Sequence, residues 1–94
     1  MALADIITEK LTEAFRPEQL KVVDESYKHQ GHAGARPGGE THFRVVVVAT
    51  SFNGVSKIKR HQQVYKTLEK EMREQIHALA LQTLTPEEWK KNNA

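Results

Sequence analysis

The 94-residue sequence contains no cysteine and only three prolines, and its apolar runs are short. Without cysteine, the chain cannot form a disulfide framework, hold a thiolate zinc site or supply a thiol nucleophile. Runs such as Val45–Ala49 are far shorter than the roughly 20 residues that a transmembrane helix needs. The stretch Met1–Lys10 also lacks the basic start and apolar core of a signal peptide. We therefore expect a cytoplasmic protein with no membrane segment.

Neither sign of charge dominates, since the sequence contains 14 basic and 12 acidic residues and its net charge is +2. A chain this short buries only roughly 60% of the surface that its unfolded form exposes, so residues 1–94 are expected to form a single domain. The sequence also lacks the nucleophile elbow, the phosphate-binding glycine loop and the paired histidines of a zinc protease helix. These absences favour a non-enzymatic binding module.

The apolar pattern predicts an α+β domain with the element order αββαβα. Its predicted helices cover Leu3–Phe15, Ser56 to about Glu74, and a short segment opening at Thr85-Pro86, and its predicted strands cover Leu20–Ser26, Thr41–Thr50 and Ile76–Thr83. A glycine-rich loop over His29–Glu40 would join the first two strands as an antiparallel pair. The second helix would connect strands two and three in a right-handed parallel crossover. The expected result is a small three-stranded mixed sheet with helices packed on it.

The second helix carries the pattern from which its buried face is predicted. Apolar and aromatic residues recur at spacings of three and four residues, which places them on one side of the helix. This predicted inward face comprises Ile58, His61, Tyr65, Leu68 and Met72. On this interpretation His61 is a core histidine that hydrogen-bonds to the backbone.

The start of the second helix is basic, although the helix dipole disfavours cations there by roughly 0.3 to 1 kcal/mol each. A locally unfavourable choice of this kind indicates either a solvated face or a functional surface for anions. The candidate site for nucleic acid or an acidic partner comprises Gly54, Ser56, Lys57, Lys59, Arg60 and Lys66. No aromatic residues alternate with these cations, as a platform for stacking bases would require.

Five histidines are many for a short chain, and none has the paired spacing of a zinc finger. His42 lies within a predicted strand and is interpreted as a packing residue. His77 begins the third strand beside small alanines, where its imidazole is free to point into a cleft. His29 and His32 belong to the glycine-rich loop, from which either imidazole could approach His77. Spacing alone does not choose between a ligand role and solvated loop histidines.

Several separate motifs occur together in one order along the chain. They are DESYKH (24–29), GETHFRV (39–45), FNGVSK (52–57), RHQQVY (60–65), HALAL (77–81) and TLTPEEW (83–89). With these motifs the sequence closely resembles the BolA family over nearly its whole length. The resemblance implies an α+β fold similar to class II KH domains, which agrees with the element order predicted from the apolar pattern.

Members of this family pair with monothiol glutaredoxins and share a bridging [2Fe-2S] cluster. The resemblance therefore implies a non-enzymatic role in iron sensing or cluster delivery. By the family pattern His77 matches the C-terminal ligand, and the second ligand comes from the loop, where both His29 and His32 are candidates. A chain without cysteine cannot hold such a cluster with four thiolates, but imidazole replaces cysteine at one iron in some clusters. The partner and glutathione would supply the thiolates.

Bacterial members of the family are also described as DNA-binding transcriptional regulators of stress response and morphology. This alternative would place DNA at the turn and helix start from Gly54 to His61. Only the first glycine of the GXXG loop of KH domains is present, in Gly54-Val55-Ser56-Lys57. The sequence leaves homodimerisation open.

Overall fold

The computed structural model describes residues 2–25 and 42–92, so His29, His32 and the predicted loop lie outside the described residues. The described chain folds into four helices and three strands: α1 Leu3–Phe15, β1 Gln19–Asp24, β2 His42–Val48, α2 Lys57–Thr67, α3 Glu69–Glu74, β3 Ala78–Leu84 and α4 Pro86–Asn92. A short 3-10 turn over Thr50–Phe52 precedes α2. The predicted α+β class is confirmed. In the described residues no helix is long and apolar enough to cross a bilayer.

The three strands form one mixed sheet with β2 in the centre. β1 runs antiparallel to β2, with Leu20 opposite Val47. β2 runs parallel to β3, with Phe43 opposite Leu79. The predicted antiparallel and parallel pairings are therefore both confirmed, and the parallel pairing places the first residues of β2 and β3 side by side.

The hydrophobic core lies between the sheet and the helices α1 and α2. Alternate residues of β2 point into it, because successive side chains of a strand face opposite sides of the sheet. α1 contributes residues spaced by four, which lie on one side of a helix. From these two elements the core cluster takes Leu3, Ile7, Leu11, Phe43, Val45 and Val47, and Val48 at the end of β2 is also buried.

The predicted second helix differs from the structure in its continuity and in its buried face. It divides at Leu68 into α2 and α3. Its buried positions are Arg60, Val64, Leu68 and Glu71. The assignment of Ile58 and Tyr65 to the inward face was wrong, since Ile58 is 73% exposed and Tyr65 39% exposed. His61 is only half-buried.

The physical reason for this error is the charge at position 60. Unpaired charged side chains are almost never buried, so a pattern based on hydrophobicity places Arg60 outside and shifts the predicted face towards Ile58. In the fold, a carboxylate and two backbone carbonyls surround the Arg60 guanidinium and permit its burial. α2 therefore buries the face that carries Arg60, and contacts with other elements of the fold make this burial favourable.

Strand ends also differ from the predicted ones. β2 ends at Val48 rather than Thr50, because the chain enters the 3-10 turn after Ala49. β3 begins at Ala78, so His77 precedes the strand instead of beginning it. The β1 strand ends at Asp24, two residues before the predicted end.

Candidate functional site

Two histidines meet at the sheet edge where β2 and β3 begin. The imidazole rings of His42 and His77 have centroids 5.2 Å apart and an interplanar angle of 58°. Because β2 and β3 are parallel, His42 lies opposite Ala78 and therefore beside His77, the residue before Ala78. His77 is exposed and His42 is half-buried. His42 was predicted only as a packing residue, and its place beside His77 follows from the register of the parallel strands.

The chain on both sides of this histidine pair is well anchored. On one side, the N–H of Glu25 donates to the carbonyl of His42 over 2.8 Å, and the Glu25 carboxylate lies 3.2 Å from the Arg44 guanidinium. The end of β1 is thereby held next to the start of β2. The segment 26–41, which contains His29 and His32, is therefore attached at both ends to the edge that carries His42 and His77.

On the other side, the end of α3 holds the chain that leads to His77. The carbonyl of Glu71 accepts hydrogen bonds from the N–H groups of Gln75 and Ile76. The buried Glu71 carboxylate accepts a 2.6 Å hydrogen bond from the ammonium of Lys10 on α1. Burial alone would raise the pKa of this carboxyl, but the hydrogen bonds from Lys10 and from the backbone, together with the charges of nearby lysines, outweigh burial and hold the pKa below its usual value. α1, α3 and the approach to His77 are thus joined by one ion pair.

At this edge the two imidazoles are possible metal ligands, whereas the Glu25 carboxylate is paired with Arg44. Across residues 2–25 and 42–92, no group of three or more histidine, cysteine, aspartate or glutamate side chains is arranged to hold a metal ion. A metal at His77 would therefore need ligands from the segment 26–41 or from another molecule. An exposed imidazole fits an iron–sulfur cluster that takes its thiolates elsewhere, because histidine can replace cysteine at one iron.

The basic candidate site lies at the start of α2. Gly54 has a φ of +75°, which a residue with a Cβ adopts only at a cost, so the turn into the helix requires glycine. The Ser56 hydroxyl accepts a hydrogen bond from the N–H of Lys59 over 3.3 Å and caps the helix. Lys57 and Lys59 are exposed. Two cations therefore stand at a capped helix start in contact with solvent.

The structure removes Arg60 from this exposed basic set, because only 5% of the residue is accessible. The Nε–H of Arg60 donates to the carbonyl of Val55 over 2.8 Å, and one terminal nitrogen donates to the carbonyl of Thr83 over 3.3 Å. The same nitrogen lies 2.7 Å from the carboxylate of Glu88. Its guanidinium carbon also lies 5.8 Å from the centre of the Phe52 ring. Arg60 therefore joins the start of α2 to the end of β3 and to α4.

Glu88 has a second role as a helix cap. Its carboxylate accepts a 2.8 Å hydrogen bond from the N–H of Thr85, and its own N–H donates to the Thr85 hydroxyl over 3.2 Å. This reciprocal pair is a capping box at the start of α4. The hydrogen bonds from Arg60 and from the Thr85 N–H hold the pKa of the Glu88 carboxyl below its usual value. The spacing of Thr85 and Glu88 was the sequence signal that could have indicated this pair.

Further along α2, the outward side carries both cations and apolar groups. Lys59, Gln62, Gln63 and Lys66 line an open depression of about 300 Å³. Ile58 and Tyr65 lie beside it and are the large apolar side chains that the described structure exposes most. Lys66, like Lys59, is exposed. The α2 surface is therefore mixed in character rather than uniformly cationic.

The histidine edge and the basic helix start lie at opposite ends of the parallel strands. His77 precedes Ala78 at the beginning of β3, whereas Arg60 contacts Thr83 near its end. Ala78 and Thr83 are five positions apart along β3, which corresponds to about 17 Å. The two candidate sites are thus separate surfaces.

Comparison with known proteins gives one consistent result. The family model described as BolA-like protein matches residues 11–88. The DNA-binding transcriptional regulator BolA of Haemophilus influenzae is 40% identical over 93 residues, covering 99% of this chain and 86% of that protein. Human BolA-like protein 1 is 46% identical over 87 residues, covering 93% of this chain and 61% of that protein.

Solved structures show the same likeness in three dimensions. BolA1 from Arabidopsis thaliana matches with a TM-score of 0.84 and 39% identity, covering 94% of this chain and 96% of that one. Yeast Fra2 matches with a TM-score of 0.65 and 31% identity, covering 96% of this chain and 86% of that one.

Proposed function

The chain belongs to the BolA-like family, and from this premise we propose that it is a non-enzymatic partner of a monothiol glutaredoxin. In this role it shares a [2Fe-2S] cluster with the glutaredoxin and its glutathione, in iron sensing or cluster delivery. His77 is one ligand, and His29 or His32 is the second. The observation that carries the proposal is the exposed His77 imidazole at an anchored sheet edge.

The chemistry of the chain supports this assignment in two ways. Without cysteine, it has only imidazole to offer to a cluster of this kind, and the thiolates have to come from the partner. His77 is accessible, and the hydrogen bonds at the end of α3 fix the backbone that leads to it. A ligand held this way loses little conformational freedom when it binds, which favours affinity.

The loop ligand is constrained by covalent connectivity. His29 follows Glu25 by four residues and His32 follows it by seven. An extended chain spans at most about 3.6 Å per residue, so the backbone of His29 lies within about 14 Å of Glu25. The corresponding limit for His32 is about 25 Å. Glu25 is hydrogen-bonded to His42, which lies beside His77 at the sheet edge. The chain length between Glu25 and either loop histidine therefore allows that histidine to approach His77.

The test is visible absorption and circular dichroism of the complex after anaerobic co-expression with a monothiol glutaredoxin. We expect His77→Ala to change the visible spectrum, and one of His29→Ala and His32→Ala to change it as well. His61→Ala is the matched control, because His61 is half-buried on α2 and away from the edge. His42→Ala then reports whether the ring beside His77 matters for ligation. If the two proteins form no complex, or if wild type and all variants alike give the spectrum of the glutaredoxin alone, the proposal is wrong.

DNA binding is a second candidate function, favoured by the exposed lysines at the start of α2. Relatives from Haemophilus influenzae and Escherichia coli carry the name DNA-binding transcriptional regulator. In this function Lys57 and Lys59 contact phosphates, while Arg60 holds the helix start in place instead of touching DNA.

Salt dependence separates this function from the cluster role. Each lost phosphate contact should reduce the slope of log affinity against log salt by about 0.9. We expect Lys57→Ala and Lys59→Ala to produce this reduction and His77→Ala to leave it unchanged. Lys21→Ala on β1 is the matched control, since Lys21 is also an exposed lysine but lies on another element. An unchanged slope in both α2 variants would exclude this surface as the DNA contact.

A further inference from the structure

The outward ridge of α2 combines positive charge with exposed apolar area. Lys59 and Lys66 lie on it two turns apart, and Ile58 and Tyr65 flank it. No acidic residue occurs between Lys57 and Thr67, and the nearby Glu88 is already engaged with Arg60. In the described residues, neither lysine of the ridge forms an ion pair. This face is therefore complementary to a surface that carries negative charge.

The chain itself presents such a surface on the neighbouring helix. Asp5, Glu9 and Glu13 are exposed and follow one another at intervals of four residues on α1. They lie opposite the buried residues Ile7 and Leu11, so the three carboxylates form one outward ridge. None of the three has an ion-pair partner among the residues described. Like charges at this spacing destabilise a helix locally, although the helix dipole favours Asp5 in the first turn of α1.

The two ridges are similar in length. Lys59 and Lys66 are seven residues apart, which is about 10.5 Å along a helix, and Asp5 and Glu13 are eight apart, which is about 12 Å. α1 and α2 contact each other and pack on the same hydrophobic core. A two-fold axis between two copies, directed along the helices, would lay each α1 over α2 of the other copy. The complementary contact would then be made twice.

We propose that this helix layer is the interface of a symmetric homodimer. In it, Lys59 and Lys66 of each copy face the ridge formed by Asp5, Glu9 and Glu13 of the other, and Ile58 and Tyr65 become covered. The proposal goes beyond the cluster role, because the interface is on the helices and leaves His77 at the sheet edge exposed. It also has a consequence for nucleic acid, since Lys59 cannot contact DNA and the second copy at once.

The test is sedimentation equilibrium of the full chain at low salt, with charge-reversed variants. We expect wild type to dimerise and the dimer constant to weaken at least tenfold between 50 and 500 mM salt, because exposed charge pairs are screened. Lys59→Glu/Lys66→Glu and Glu9→Lys/Glu13→Lys should each be monomeric alone. An equimolar mixture of these two variants should form a heterodimer, since both contacts are then restored with reversed signs. Lys21→Glu/Lys90→Glu, with two exposed lysines elsewhere, should dimerise as wild type does.

Three results would overturn the proposal. The first is a wild type that stays monomeric at several hundred micromolar in low salt. The second is a mixture of the reversed variants that stays monomeric although each variant shows the circular dichroism of the folded chain. The third is a monomeric protein whose binding to a short DNA duplex is abolished by Lys59→Glu/Lys66→Glu, because the α2 ridge would then belong to nucleic acid.

Discussion

Replacing Glu88 with alanine should destabilise the domain far more than replacing its partner Arg60 with methionine. Glu88→Ala leaves the Arg60 guanidinium buried without a counter-charge, and loss of one member of a buried ion pair costs about 3 to 5 kcal/mol. It also removes the acceptor for the N–H of Thr85, and a lost cap costs about 0.5 to 2 kcal/mol. Because the Glu88 side chain is 36% exposed, water relieves part of this cost. We expect a total of about 4 kcal/mol.

Arg60→Met has a different physical consequence. It removes the buried charge, and the released Glu88 carboxylate is exposed enough to be hydrated. The remaining loss is the donor to the carbonyls of Val55 and Thr83, for which we expect about 1 to 2 kcal/mol. The double variant contains no uncompensated buried charge. Its loss of unfolding free energy should therefore be smaller than the sum of the losses in the two single variants by about 2 kcal/mol or more.

The assay is urea denaturation at pH 7 and 25 °C followed by circular dichroism. A domain of this length has roughly 5 to 14 kcal/mol of total stability, so Glu88→Ala should remain measurable with a small margin. Should it not fold, Glu88→Gln gives the same order of effects at smaller size. Glu87→Ala is the matched control, because Glu87 lies exposed in the same helical turn. Equal costs for Glu88→Ala and Arg60→Met, or additive costs in the double variant, would refute the reasoning.

Three further predictions concern pH, the turn before α2 and the orientation of that helix. The carboxyls of Glu71 and Glu88 have pKa values below the ordinary 4.5 in the folded state, so stability should be full above about pH 4.5 and fall as the pH drops through the lowered values. Lys10→Met should destabilise the domain at pH 7, and this variant should lose less stability than wild type as the pH falls. The measurement is the urea midpoint from pH 3 to 7, and midpoints that fall in parallel for the two proteins would contradict the prediction. Gly54→Ala should cost about 1 to 2 kcal/mol in thermal unfolding, because φ is +75° while nothing lies within 4 Å of an added Cβ, and a neutral result would show that the turn relaxes. Ile58→Lys should change the free energy of unfolding by less than about 0.5 kcal/mol, whereas Val64→Lys should prevent stable folding, because only Val64 is buried. If a urea titration gave the reverse order, α2 would have the inward face that the apolar pattern predicts.

Some parts of the candidate site could be predicted from the sequence because they depend on local chemistry. The Ser56 cap and the proline at the first position of α4 satisfy or avoid backbone groups within one turn, and the structure contains both. The exposed position of Lys57 and Lys59 follows from their charge. His77 was predicted to be free to point into a cleft, and the structure shows that the residue is exposed at the sheet edge.

Other parts depend on contacts between residues that are distant in the sequence. His42 is 35 positions from His77, and only the register of the parallel strands places the two rings 5.2 Å apart. The sequence alone predicts Arg60 as a surface cation, whereas its burial depends on Glu88, which lies 28 positions later in the chain. No periodic pattern within one helix contains that information.

The sequence by itself determined the α+β class, the strand pairing and the family, because these follow from apolar periodicity and from motifs that recur in a fixed order. Only the tertiary structure decided which side of α2 faces the core, which cation is buried and which histidine accompanies His77. The physical reason is that burial of a charge is decided by its partner, and the partner is supplied by the fold. A hydrophobic pattern records the average preference of each residue, whereas Arg60 is inside because Glu88, Val55 and Thr83 stabilise it there.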